Sequence, residues 1–156
     1  MTYGEISRGY RANGVNATIL ASMDTAEDPA TIDQLQPLQQ FDEEYLVNYE
    51  LGFKGTLLAD TVQSRLALFY MDRIDQQVKG SLVIPRSDGS SAFLDYTSNA
   101  ASGHNYGMEL ELNWLASEEL TLFANIGLLQ TEFEDYTDVY GNDLSGRDQA
   151  QAPSYQ

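Results

Sequence analysis

The sequence predicts an all-β protein: an antiparallel meander of about five to six long strands that forms part of a transmembrane β-barrel. Three observations carry the prediction. Four stretches alternate strictly between apolar and polar residues. The strands run to about 13–15 residues, against the roughly 5–6 usual in soluble sheets. The links between them are short and long in turn. Along Tyr45 to Lys54 the odd positions are Tyr45, Val47, Tyr49, Leu51 and Phe53, and the even ones are Leu46, Asn48, Glu50, Gly52 and Lys54. Successive strand side chains point to opposite faces, so one face is apolar and the other largely polar and charged. Tyr106 to Trp114 repeats the pattern with its phase on even numbers. A wall with lipid on one side and water on the other requires this pattern.

The elements follow in order. The first strand, near Thr2 to Tyr10, is weakly patterned and its facing is open. The second runs from about Glu43 to Leu57. The third, about Val62 to Asp75, puts Val62, Leu66, Leu68 and Tyr70 on one face and Gln63, Arg65 and Arg73 on the other. Ser64 interrupts its apolar face, and Phe69 and Met71 its polar one. The fourth covers about Gly103 to Leu115. The fifth, Leu120 to Phe133, carries Leu122, Ala124, Ile126 and Leu128 on one face, and Ala152 to Tyr155 reads as the start of a sixth. Leu58 to Thr61 and Ala116 to Glu119 are the short links. Residues 11–42, 76–102 and 134–151 are expected to be long loops, rich in Gly, Asn, Asp, Ser and Gln, and such loops are uncommon in compact soluble domains. Trp114 lies by a short turn, whereas Tyr45, Tyr49, Tyr70 and Tyr106 lie toward the long loops, as two interfacial girdles would.

A four-residue turn at Leu58 to Thr61 sets Leu57 against Val62, Phe53 against Leu66, Leu51 against Leu68 and Tyr49 against Tyr70. It also sets Lys54 against Arg65, so Glu50 or an acidic neighbour strand must offset the repulsion. No amphipathic helix is discernible to cover the apolar face. A soluble secreted β-sandwich, acting as a binding or structural module, would also alternate; strand length and loop asymmetry favour the barrel.

Composition narrows function. The 156 residues carry 24 acidic and 8 basic side chains, a formal charge of −16. That surface repels nucleic-acid phosphates and disfavours adhesion to anionic headgroups. Cysteine is absent, which excludes disulfides and thiolate metal sites. The longest apolar run, Leu66 to Met71, is far short of the roughly 20 residues of a spanning helix. No signal peptide opens the chain, and the expectation is an internal piece of a longer protein.

Several runs resemble the barrel of TonB-dependent outer-membrane receptors. They are Ser7 to Arg11 with Gly14 and Asn16, Tyr49 to Lys54, Leu66 to Asp72 and Asp75 to Val78. Further on come Gly107 to Glu111, similar to the family's Gly-x-Glu-Leu-Glu strand, and Gly146 followed by Ala152-Pro153. Their order and spacing span nearly the whole chain. The resemblance implies that residues 1–156 are part of a barrel of about 22 strands, plugged by an N-terminal domain. It further implies a place in the bacterial outer membrane and import of iron-siderophore or similarly scarce nutrients, driven through the TonB complex acting on an N-terminal part. A TonB box, a plug and an aromatic-ended closing strand are not seen. Five or six strands cannot close, and their open edges would leave amides unpaired in lipid.

No enzyme emerges, and no cofactor or metal is expected. The acidic loop Glu132 to Asp143 lacks calcium-loop spacing and reads as a solvated loop. Glu109 and Glu111 share a strand face without a nucleophile. His104 stands alone. Asn16-Ala17-Thr18 fits a glycosylation sequon, which carries little weight here. Arg8 and Arg11, with Asn13 and Asn16, are the candidate ligand-binding residues at the loop mouth or lumen, because arginine forks grip anions; an ion pair with the acidic wall is equally open. Glu50, Lys54, Arg65, Glu109 and Glu111 are the expected lumen-facing set.

Overall fold

The computed structural model describes residues 1–26, 28–85, 89–149 and 152–155. Five strands form one antiparallel sheet in the order β1-β4-β5-β6-β7: β1 Thr2–Arg11, β4 Glu44–Leu57, β5 Val62–Pro85, β6 Ser91–Ser117 and β7 Leu120–Tyr136. A two-residue pair, β2 Gly14–Val15 with β3 Gln40–Phe41, closes the feet of the first long link. Among the described residues no second sheet faces the first, so the sandwich reading falls. The sheet is open, with β1 and β7 at its sides.

The register across the first short turn is the expected one. Leu57 opposes Val62, Phe53 opposes Leu66, Leu51 opposes Leu68, Tyr49 opposes Tyr70 and Lys54 opposes Arg65. Directly opposed residues share a face, so whole rows can be followed across the strands. Phe53, Leu66, Leu110 and Ile126 form one apolar row, and Leu51, Leu68, Met108 and Leu128 the next. Tyr49, Tyr70 and Tyr106 cross the sheet near the long-loop end; Leu57, Val62, Trp114 and Leu122 cross it at the short-turn end. From Val62 to Tyr70 is about 26 Å along the strand at roughly 3.3 Å per residue. Strands tilted by roughly 40° bring this to about 20 Å, close to the apolar band of about 25 Å in outer-membrane barrels. β1 now has a facing: Thr2, Gly4, Ile6, Arg8 and Tyr10 join the apolar face opposite Phe53, Leu51, Tyr49, Val47 and Tyr45.

Two expectations are corrected. Residues 76–102 are not a structureless loop, because β5 and β6 continue through them as a long hairpin paired to Pro85–Ser91. Period two hid this extension because the phase breaks. The register shifts around Arg73, Gln76 and Gln77, and Asp75 takes φ 53°. Helices also exist. α1 (Ala17–Thr25) and α2 (Pro29–Leu35), followed by a 3₁₀ turn at Gln36–Leu38, lie within residues 11–42. Their Ile19, Leu35 and Leu38 bury against Leu82, Ile84, Leu94 and Tyr96 of the hairpin. The extension thus has its own small core, while the apolar face of the sheet below stays open to its surroundings, with Leu51 60% and Ile126 44% exposed.

Leu110→Arg is expected to destabilise the membrane-inserted sheet by about 2–4 kcal/mol, the cost of a cation near the bilayer midplane. Glu109→Arg, one residue away on the opposite face, should be tolerated. Equal urea midpoints for the two variants in lipid vesicles would refute the facing.

Candidate functional site

The polar face carries a band of charges between the girdles. Glu111 of β6 is in register with Arg65, and its carboxylate accepts from the guanidinium at 3.1 Å. This supplies the offset required by the Lys54–Arg65 apposition. The pair is well exposed, so it contributes little to stability. Tyr3 donates to Glu50 at 2.7 Å, and the Lys54 ammonium lies 5.0 Å from the Tyr3 ring centroid. The Tyr3 ring lies over Gly52, where a Cβ would collide with it. That glycine is needed for close approach, not for turning. Tyr3, Glu50, Lys54, Arg65, Glu109 and Glu111 line one shallow hollow of about 260 Å³. The five residues expected to share the polar face therefore do so.

Above this band sits a buried polar junction that sequence reading missed. Glu44 is 5% exposed. Its carboxylate accepts from Arg73 through Nε at 2.9 Å and through Nη2, and from the Gln77 backbone N–H at 3.0 Å. Arg73 Nη1 donates to Gln149 at 2.9 Å, and the Gln149 N–H donates to Thr131 Oγ1 at 3.0 Å. Gln77 Nε2 donates to the carbonyls of Ala12 and Asp42, both at 2.9 Å, one at each foot of the helical link. A side chain at Gly103 would strike the Glu132 carbonyl and crowd Gln149. One junction thus ties β4, β5, β7, the helical link and the returning chain. The only sequence signal was Arg73 on the polar face of its strand.

The predicted ligand residues are dispersed. Arg8 lies on the apolar face, its guanidinium carbon 4.0 Å above the Tyr45 ring centroid. Arg11, opposite Glu44, falls on the polar face. Asn13 is exposed at the start of the helical link. Asn16 is buried, and its carboxamide is fully engaged. It donates to the Thr97 and Leu38 carbonyls at 2.7 and 2.8 Å and accepts from the Thr97 N–H at 2.9 Å. It acts as a strand residue would, pairing both backbone groups of Thr97 where β7 no longer flanks β6. A sequon asparagine held in this way is not free for glycosylation. His104 lies on the apolar face near the girdle, stacked between Tyr70 and Tyr106, with Nδ1 3.0 Å from Glu134.

The acidic loop holds itself. Asp138 accepts from Asn142 Nδ2 at 2.8 Å and from the N–H groups of Asn142 and Tyr140 at 2.8 and 2.9 Å. These bonds, the Asn142 side chain first, hold its carboxyl below the ordinary value of 3.8. A depressed folded pKa stabilises the loop fully above that ordinary value. The contribution is lost as pH falls below it through the lowered folded value. Amide protection at Tyr140 and Asn142 should therefore persist to about pH 4 and fade below. Protection already lost at pH 5 would contradict this. Among the described residues, no group of three or more His, Asp or Glu is arranged to hold a metal.

Beyond Tyr136 the chain turns back along the outer edge of β7. Leu144 N–H donates to Tyr136 O, Gly146 N–H to Phe133 O and Leu129 N–H to Ser154 O, and Tyr155 bridges Leu128. Where the sequence predicts the start of a sixth strand at Ala152 to Tyr155, the described residues form a single bridge from Tyr155 to Leu128 and no strand; the sheet has five.

A sheet with one apolar and one charged face, banded by aromatics and tied to a polar mouth, defines the wall of a membrane-spanning β-barrel. The family model for the TonB dependent receptor-like β-barrel matches residues 1–156, and the chain belongs to that family. Its members are outer-membrane receptors and transporters, not enzymes. No solved structure matches the chain. No helix among the described residues is long and apolar enough to cross a membrane, which says nothing against a barrel crossing with strands.

Proposed function

We propose that residues 1–156 form part of the barrel wall of an outer-membrane receptor importing an iron-siderophore complex or a similarly scarce nutrient. The plug and remaining strands are supplied by other parts of the same receptor. The polar face, with Glu50, Lys54, Arg65, Glu109 and Glu111, lines the lumen. The helical link and the β5–β6 hairpin form the mouth, where Arg11 and Asn13 meet the ligand first. Arg8 and Asn16 take no part in that contact, since one faces outward and the other is engaged internally. TonB acts through the plug side. The observation supporting this most strongly is the alignment of apolar rows on one face and charged residues on the other across β4, β5, β6 and β7, the pattern of a lipid–water boundary.

The test is uptake of labelled ferric siderophores by bacteria lacking the gene and by the same cells complemented with it, under iron limitation. Import restored for one siderophore and lost again with Arg65→Glu supports the reading. If no iron complex depends on the gene while another nutrient does, the substrate class is wrong. If no uptake depends on it at all, the transport role falls.

A further inference from the structure

The apolar face is not uniform. Gly4 interrupts it between Ile6 and the row of Leu51 and Leu68, leaving a groove of about 550 Å³ bordered by Tyr49 and Tyr70. The gap is open space, because a Cβ at Gly4 would have only the Glu50 carbonyl near it, at 3.9 Å. Arg8 stands on the same face of β1, four residues toward the mouth, about 13 Å away at roughly 3.3 Å per residue. It is the one cation that the first strand presents to the membrane side. Its guanidinium stacks on Tyr45 at 4.0 Å and, among the described residues, forms no ion pair. The nearby Glu43 carboxylate is engaged by the Tyr45 hydroxyl at 2.5 Å. Tyr10, 76% exposed, flanks the same spot. An arginine at the aromatic belt extends its head to the polar interface, where its planar fork fits a phosphate.

We propose that the Gly4 groove and Arg8 together bind one lipid of the surrounding leaflet, an acyl chain in the groove and a phosphate-bearing headgroup on the guanidinium. Of the net charge of −16, screening removes exposed charges beyond about 8–10 Å. The Glu43 carboxylate beside Tyr45 lies closer and opposes the headgroup, so the affinity rests on the guanidinium contact and the groove together. The inference rests on the apolar face meeting lipid and is independent of the imported substrate.

The test is native mass spectrometry of the full-length receptor in a phosphate-free detergent. The probes are phosphatidylglycerol, diacylglycerol with the same chains, and inorganic phosphate. One phosphatidylglycerol should be retained at least about tenfold more tightly than diacylglycerol, the loss expected for one charge-assisted contact. Arg8→Gln should erase that preference, and Arg8→Lys should keep part of it. Gly4→Leu, or Gly4→Ala if leucine blocks assembly, should weaken retention of both lipids. Equal retention of the two lipids by the unaltered protein, or no change in Arg8→Gln, overturns the proposal. Displacement by inorganic phosphate with no effect of filling the groove overturns it too, leaving a site for free phosphate alone.

Discussion

Replacing Arg73 with methionine is expected to cost about 3–5 kcal/mol, because it leaves the Glu44 carboxylate buried without a counter-charge. Glu44 is 5% exposed and receives both Nε and Nη2 of that guanidinium. The same change frees Gln149, and with it the chain returning along β7. The damage should begin at the mouth, with early proteolysis near Gln149 before the rows between the girdles give way. Coupling Arg73→Met to Glu44→Leu should recover most of the loss, since an apolar pair of similar volume removes the stranded charge instead of exposing it. Urea unfolding in lipid vesicles provides the measurement. An unchanged midpoint for Arg73→Met would show that the junction contributes nothing.

Leu82→Ala is expected to cost about 2–5 kcal/mol through lost burial and the cavity left behind, but in a different place. Leu82 is fully buried between the hairpin and the helices, beside Ile19 and Leu35. α1 has nine residues and α2 seven, too few for either to persist without packing. Amide exchange in both helices should therefore accelerate, while the paired rows from Val62 to Tyr70 keep their protection. Uniform acceleration across the sheet would mean that the extension and the wall unfold as one unit.

The wall was legible in the sequence and the mouth was not, for reasons visible in particular residues. Between Leu51 and Leu57 and from Val62 to Leu68, alternation is broken on the apolar face only by small residues, Gly55 and Ser64, and a four-residue turn leaves one pairing that keeps apolar residues together. Above Arg73 the phase slips at Asp75, and a period-two reading has nothing to follow. There Leu82-Val83-Ile84 is a continuous apolar run, indistinguishable by period from other buried segments. α1 went unseen because its apolar residues lack a contrasting polar face. α2 did announce itself, through Asp28 capping the N–H groups of Ala30 and Thr31 and Pro29 at the first position, a start signal passed over because the surrounding composition reads as loop. The candidate ligand residues were chosen for their chemistry, yet strand parity decided Arg8 and an unpaired edge decided Asn16. Neither is visible until the pairing is known.

Asn16 gives the mouth an asymmetric vulnerability. A strand guarding the edge of β6 would share the task among many residues, each replaceable. Here the two ends of one carboxamide do it, one donating and one accepting. Aspartate, nearly identical in shape, would set a carboxylate oxygen against the Thr97 carbonyl and turn attraction into repulsion. Alanine would leave both Thr97 groups bare beside the Thr18 contact to Asp95 O. An edge exposed in this way is a template for another chain. The closure of that edge rests on one short side chain, and a change of a single atom in it is enough to open the seam.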